Sequence, residues 1–331
     1  MDILLLGAPK SGKTSIQRVV FQKMSPHETF FLAPTAKSES HQIDNNPYIQ
    51  FTIKDYPGAY DLKEGNTQDV QAIKQCGSLI YVIDAQPQDY ESNCIRLRDI
   101  IKTCSAVNKN ISYEVFIHKV DTDMFLSDEQ KVDCLNEIQE NMRQLLNDTS
   151  LQVSLSFYLT SIYDHTIYEA LSKVIQKLLP QVGFISALID NLINSSKIEK
   201  AFLFDVISKI YIATDNNPVE MKHYEICSEL IDVLIDVSCI YGIDEQAGTL
   251  KFDKESSSII KLNHAGGSDD KIVLYLREVD KCLALVCLIN EKEFHKQHLI
   301  NYNIDKFKEG LRKIFDATKI ALKKPAVGAS V

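Results

Sequence analysis

Gly7-Ala8-Pro9-Lys10-Ser11-Gly12-Lys13-Thr14 decides how this chain folds. The stretch fits the phosphate-binding pattern Gly-x-x-x-x-Gly-Lys-[Ser/Thr], and its flanks meet the structural requirement of that pattern. Ahead of it, Ile3-Leu4-Leu5-Leu6 has the length and character of a buried parallel strand. Behind it, Ser15 to Lys23 reads as a helix, with Ile16, Val19, Val20 and Phe21 available to pack on a sheet. In that setting the loop's N–H groups and the helix N-terminus converge on phosphate oxygens. Gly7, Lys10, Ser11, Gly12, Lys13, Thr14 and Ser15 are therefore expected around a bound nucleotide. Lys13 supplies a point charge to the β- and γ-phosphates, and the Thr14 hydroxyl is the natural Mg²⁺ ligand. A chance Gly/Lys-rich turn would lack the strand and the helix on either side.

Strand-like runs recur at Tyr48–Lys54, Ser78–Asp84, Ile111–His118 and Gln152–Thr160, with helical patterns at Thr67–Cys76, Ser92–Val107, Asp128–Leu146 and Thr166–Leu179. That alternation predicts an α/β domain with a mostly parallel, doubly wound sheet. Ligands of such sheets sit at the carboxyl ends of the strands, so strand-terminal residues carry the information. Met24 to Asn46 reads as a long irregular loop, and loops of that length are functional or disordered. After Leu179-Pro180-Gln181 the pattern becomes helix, hairpin, helix, three-strand meander and helix, which predicts a separate α+β unit.

With 331 residues, 45% hydrophobic and 24% charged, the composition suits two globular domains. The formal net charge of −9, without a compensating basic run, argues against nucleic acid or an anionic membrane as a general partner. None of the 8 cysteines forms a C-x-x-C pair or lies near His at metal spacing, so they read as small, half-buried thiols. No apolar stretch is long enough to span a bilayer, the first strand begins too early for a signal peptide, and Gly328-Ala329-Ser330-Val331 is no prenylation signal. The expectation is a cytoplasmic protein without direct membrane insertion. The C-terminal half offers no catalytic constellation: His223, His264, His295 and His298 are scattered.

A P-loop switch protein needs further elements in order. Thr35 lies in the long loop, placed to complete Mg²⁺ coordination and sense the γ-phosphate, or simply one of several loop hydroxyls. Asp55-Tyr56-Pro57-Gly58 supplies an Asp that holds the metal through water and a Gly whose N–H can approach the γ-phosphate. His118-Lys119-Val120-Asp121 ends an apolar strand. The Asp121 carboxylate can accept from guanine N1–H and the exocyclic amine, a pair adenine does not offer, and the Lys119 stem can lie along the base. His118 stands where many GTPases carry Asn; it reads equally as a packed strand-end histidine and as a direct participant. Backbone N–H groups of the Ser161–Ile162 turn would cap guanine O6. Together these elements point to GTP/GDP and argue against an ATP-dependent kinase.

Val19-Val20-Phe21-x-Lys23-Met24-Ser25-Pro26, Val115-Phe116-Ile117-His118-Lys119-Val120-Asp121, Ser156-Phe157-Tyr158-Leu159-Thr160-Ser161-Ile162-Tyr163-Asp164-His165 and Ile198-Glu199-Lys200-Ala201-Phe202-Leu203-Phe204-Asp205-Val206 resemble the Rag/Gtr GTPases, most closely the RagC/RagD (Gtr2-like) type. The resemblance implies a Ras-like GTP-binding domain over 1–182, a roadblock-type C-terminal domain over 183–325 and a flexible tail over 326–331. It implies an obligate heterodimer with a RagA/RagB (Gtr1-like) subunit, docked on a Ragulator/EGO-type scaffold at the lysosomal or vacuolar membrane and relaying amino-acid sufficiency to the TOR kinase complex. It also makes Thr35 the switch I threonine, although Ala33-Pro34 replaces the more usual Glu-Ser. One departure bears on chemistry: Ala59 follows Gly58 where the family commonly carries Gln, and Ala can neither orient nor polarise water. Hydrolysis is then slow and dependent on a GTPase-activating protein, with Lys13, Thr35 and Gly58 left as the catalytic set. The alternative is a nucleotide-stabilised scaffold with negligible hydrolysis.

Overall fold

A computed structural model describes residues 2–46, 49–62, 65–86, 90–122, 124–149, 151–241, 256–263, 271–280 and 282–323. The chain divides into two compact units, one of residues 1–44 and 49–178, the other centred on residues 179–331.

In the first unit the strands are β1 (Asp2–Gly7), β2 (Glu39–Asn46), β3 (Ile49–Asp55), β4 (Cys76–Asp84), β5 (Ser112–His118) and β6 (Leu155–Thr160); the helices are α1 (Lys13–Gln22), α2 (Thr67–Gln75), α3 (Tyr90–Val107), α4 (Asp128–Asp148) and α5 (Thr166–Leu178). The sheet order is β2-β3-β1-β4-β5-β6. The ladders β1–β3, β1–β4, β4–β5 and β5–β6 are all parallel, as the alternation of elements requires. Leu4, Leu6, Leu79, Tyr81, Ile83, Tyr113, Val115 and Ile117 join α2, α3 and α4 in one buried cluster. Their strand neighbours Ile3, Leu5, Ile80, Val82 and Phe116 are equally buried on the opposite face, by the two-residue period of a strand, and α1 and α5 lie against the sheet there. Burial on both faces is why these strands read as unbroken apolar runs. Local signals set the helix starts: Asn66 caps α2 by accepting from the Gln68 N–H at 3.0 Å, and Ser127 with Gln130 forms a capping box on α4.

The segment expected to be one long loop is more ordered than that. It holds a short 3₁₀ turn, Pro26–Phe31, started by a Ser25/Glu28 capping box, and then β2. β2 is an edge strand whose only apolar residue is Ile43, so it has no hydrophobic alternation to betray it.

The second unit contains α6 (Val182–Ser196), β7 (Lys200–Asp205), β8 (Ile210–Thr214), α7 (Met221–Tyr241), β9 (Ser257–Asn263), β10 (Lys271–Asp280), β11 (Leu283–Asn290), α8 (Glu291–Phe294) and α9 (Gln297–Lys323). Its sheet, ordered β8-β7-β11-β10-β9, is antiparallel in every ladder. Helices therefore pack on an antiparallel sheet, the α+β arrangement read from the sequence. Phe202, Phe204, Tyr211 and Tyr224 form an aromatic cluster with ring centroids 5.4–6.4 Å apart. A buried ion pair joins Lys200 to Asp215 at 3.1 Å, with Lys200 also donating to the Asn217 carbonyl at 2.6 Å. Gly310 lets α9 approach α6, since a Cβ there would lie 2.9 Å from Leu188 Cδ2. Ala265-Gly266-Gly267, expected between two strands, and the tail at 326–331 lie outside the described residues.

Candidate functional site

The loop Gly7–Thr14 joins β1 to α1 at the carboxyl edge of the parallel sheet. Two glycines make its shape possible. Gly7 has φ +145° and a Cβ there would lie 2.3 Å from the Val82 carbonyl; Gly12 has φ +101° and a Cβ would lie 2.5 Å from His118 Cδ2. Lys13 folds its ammonium back over the loop, donating to the carbonyls of Gly7 at 3.0 Å and Ala8 at 2.9 Å. Burial lowers its pKa to about 8, against a raising contribution from Asp55 and a further lowering one from Arg96. Lys10 is exposed at the loop's tip, Ser11 is fully buried and Ser15 is half-buried in α1.

Thr35 comes from the segment between the 3₁₀ turn and β2, yet it reaches the loop. Its Oγ1 lies 2.7 Å from Thr14 Oγ1, and Thr14 donates to Asp55 Oδ2 at 2.5 Å. Asp55, at the end of β3, is 1% exposed, and its Oδ1 has no partner. Burial raises its carboxyl pKa, opposed by the Thr14 hydrogen bond and by Lys13. Three hard oxygen donors with one buried carboxylate oxygen unsatisfied form a set that suits a small divalent cation. Gly58 closes the site: a Cβ there would lie 2.4 Å from Pro9 Cα, so only glycine lets this peptide sit against the phosphate loop.

At the other end, Lys119 adopts φ +67° and donates to the Lys10 carbonyl at 2.8 Å and to Asp84 Oδ2 at 2.5 Å. Asp84 ends β4 and was not singled out from the sequence, although the strand-end rule that marks its neighbours applies to it equally. Asp121 is exposed beside Tyr163, whose pKa it raises after burial has done so. The Tyr163 ring in turn lies 5.6 Å from that of His27, an aromatic wall with no motif to announce it.

Two expectations change. His118 is 1% exposed and lies beneath Gly12, its Nδ1 3.0 Å from Thr160 Oγ1. Burial, reinforced by Lys119, lowers its pKa to about 4, so the ring is neutral and braces the loop from below rather than facing a ligand. Ser161 is buried and its N–H is committed to Thr166 Oγ1 at 2.9 Å, while its own Oγ accepts from the Tyr163 N–H at 3.0 Å. The Ser161 amide is therefore occupied, and of the two residues of that turn only half-buried Ile162 keeps an amide for a base. One residue without any motif stands beside the site: Arg96 of α3 bonds to the main chain after Asp55. Among the described residues no cluster of three His, Cys, Asp or Glu side chains could hold a metal.

A doubly wound parallel sheet with this loop at its carboxyl edge, Asp55 and Gly58 ending β3 and Lys119-Val120-Asp121 ending β5 defines a Ras-like G domain. A profile of the "Gtr1/RagA G protein conserved region" matches residues 2–231. The chain is 48% identical to Ras-related GTP-binding protein C of Homo sapiens over 315 residues, which span 95% of this chain and 76% of that protein. It is 43% identical to GTP-binding protein gtr2 of Schizosaccharomyces pombe over 317 residues, spanning 95% and 97%. Its likeness to Ras-related GTP-binding protein A of Dictyostelium discoideum is lower, 24% over 233 residues, or 69% of this chain and 75% of that one. The chain belongs to the Rag/Gtr family of small GTPases, on the RagC/RagD and Gtr2 side.

Proposed function

We propose that this chain is the RagC/RagD-type subunit of a Rag heterodimer, a regulatory GTPase whose bound guanine nucleotide is read by partner proteins. The convergence of Thr35, Thr14, Asp55 and Gly58 on one phosphate loop is the observation that carries the reading. Lys13 and the loop amides from Gly7 to Ser15 hold the phosphates. Thr14, Thr35 and Asp55 would hold Mg²⁺, which when bound would supply positive charge against the β- and γ-phosphates. The Gly58 N–H meets the γ-phosphate. Lys119 lies along the base, Asp121 accepts from its N1–H and amine, and the Ile162 amide donates to O6.

Ala59 is exposed and carries no polar group. The chain itself thus positions no water, and hydrolysis is slow unless an activating protein supplies the missing group. Single-turnover hydrolysis of bound GTP, with and without Ala59→Gln, tests this. A severalfold faster rate in the variant is expected, and an equally brisk rate in both would overturn it. Rates negligible in both, with or without activating protein, would favour the second reading, a nucleotide-stabilised scaffold, which Ala59 also supports.

The G domain (1–182) is followed by a roadblock-type domain (183–325) that joins a RagA/RagB-type subunit. Of the two apolar segments that could form a dimer face, β11 and α7, β11 is buried within its own unit between β7 and β10. The helix α7 instead exposes Ile226, Val233, Val237 and Ile240, and it is the better candidate. No helix among the described residues is long and apolar enough to cross a membrane. Recruitment to the lysosomal or vacuolar surface then runs through the dimer and a Ragulator/EGO-type scaffold, where the TOR complex reads the nucleotide state.

A further inference from the structure

The segment after Asp55 is held from outside the phosphate loop by side chains that nucleotide binding does not use. Arg96 of α3 donates from Nη1 to the Gly58 carbonyl at 2.7 Å and from Nη2 to the Tyr60 carbonyl at 2.7 Å, and its Nε donates to Asp61 Oδ1 at 2.8 Å. The planar guanidinium thus grips three points of a four-residue stretch, Gly58 to Asp61. The Tyr60 hydroxyl lies 2.7 and 2.9 Å from the two carboxylate oxygens of Asp69, a buried residue of α2. Asn66, the α2 cap, donates to the same hydroxyl at 3.3 Å. Tyr60 also packs on Tyr56, with ring centroids 5.3 Å apart. The far side of the stretch abuts Pro9, where Gly58 has no room for a Cβ.

We propose that Arg96, Tyr60 and Asp69 form a latch that keeps the Gly58 peptide seated on the phosphate loop, so that this chain favours GTP over GDP. The inference rests on the reading of Gly58 as the γ-phosphate amide. A free segment must be ordered when the γ-phosphate arrives, and the ordering of its backbone opposes binding. A latched one is ordered beforehand, so the competent fraction is high before nucleotide binds. GDP has no γ-phosphate and is indifferent to the latch. Arg96 and Tyr60 are therefore positioning residues whose effect falls on one nucleotide.

Dissociation constants of the full chain for GDP and for GTPγS, obtained by displacing a fluorescent guanine nucleotide, test the proposal. Tyr60→Phe removes one hydroxyl, and Arg96→Lys replaces the fork by a single ammonium. Each is expected to weaken GTPγS by roughly five- to tenfold, the worth of one or two hydrogen bonds, while GDP stays within about twofold. Asp69→Asn retains an oxygen to accept the Tyr60 hydroxyl and is expected to keep most of the preference. Equal weakening of both nucleotides, or no change in either, overturns the latch. A wild-type chain that binds neither nucleotide overturns the reading of the Gly7–Thr14 loop, and the latch with it.

Discussion

The Thr35 hydroxyl lies 2.7 Å from the Thr14 hydroxyl. Because Thr14 gives its only proton to Asp55, Thr35 is the donor, and the three oxygens form a directed chain from the loop into the end of β3. A residue 21 positions away in sequence is thereby tied to the loop that begins the fold. The segment that carries Thr35 follows the 3₁₀ turn on which Phe30 and Phe31 are exposed.

His118 makes stability depend on pH. Its ordinary pKa of 6.5 falls to about 4 in the fold because it is buried beneath Gly12. The unfolded chain takes up this proton below about 6.5 and the folded chain only near 4, so the contribution is intact above 6.5 and lost as the pH falls through that window, by about 3 kcal/mol in all. His118→Asn should flatten the dependence of the urea midpoint between pH 7 and about 4.5. Parallel curves for the two proteins would show that the ring's burial is not the cause.

The buried pair Lys200–Asp215 carries a different expectation. Lys200→Met leaves the carboxylate enclosed without its cation and should destabilise the second unit by about 3 kcal/mol. Lys261→Met, at the solvent-screened surface pair with Glu291, should leave stability nearly unchanged. Equal thermal shifts in the two variants would contradict the distinction.

A chain ending at Val182 retains the compact unit that carries the loop and should keep nucleotide binding while losing the RagA-type subunit. Co-purification of the shortened chain with that subunit would place the dimer contact in the G domain instead.

Much of this arrangement is legible in the sequence, for physical reasons that also mark the limits. Ile3–Leu6, Leu79–Ile83 and Val115–Ile117 are buried on both faces and so read as continuous apolar runs. The Gly7–Thr14 loop is legible because only glycine serves at Gly7 and Gly12. β2 was not, since a polar edge strand obeys no hydrophobic period. Arg96 and Asp84 were not, since a single charge on a helix or at a strand end gains meaning only from the carbonyl or ammonium the fold brings to it. His118 could be read either way until its burial decided it.

Asp121→Asn exchanges a double acceptor for a side chain that both donates and accepts. Guanine then loses one of its two bonds and keeps the other only as a neutral one, and GTP affinity should fall by roughly 30- to 100-fold. Xanthosine triphosphate, with a carbonyl in place of the amine, should bind the variant better than GTP does. An unchanged preference for GTP would remove Asp121 from the base site.

Competition of GTP, GDP and ATP for the wild-type chain tests the central claim most directly. A site built around Asp121 and the Ile162 amide should take both guanine nucleotides and bind ATP at least about 100-fold more weakly, because adenine offers Asp121 no matching pair of donors and turns an amine rather than a carbonyl toward the Ile162 amide. Equal displacement by ATP and GTP would contradict the account.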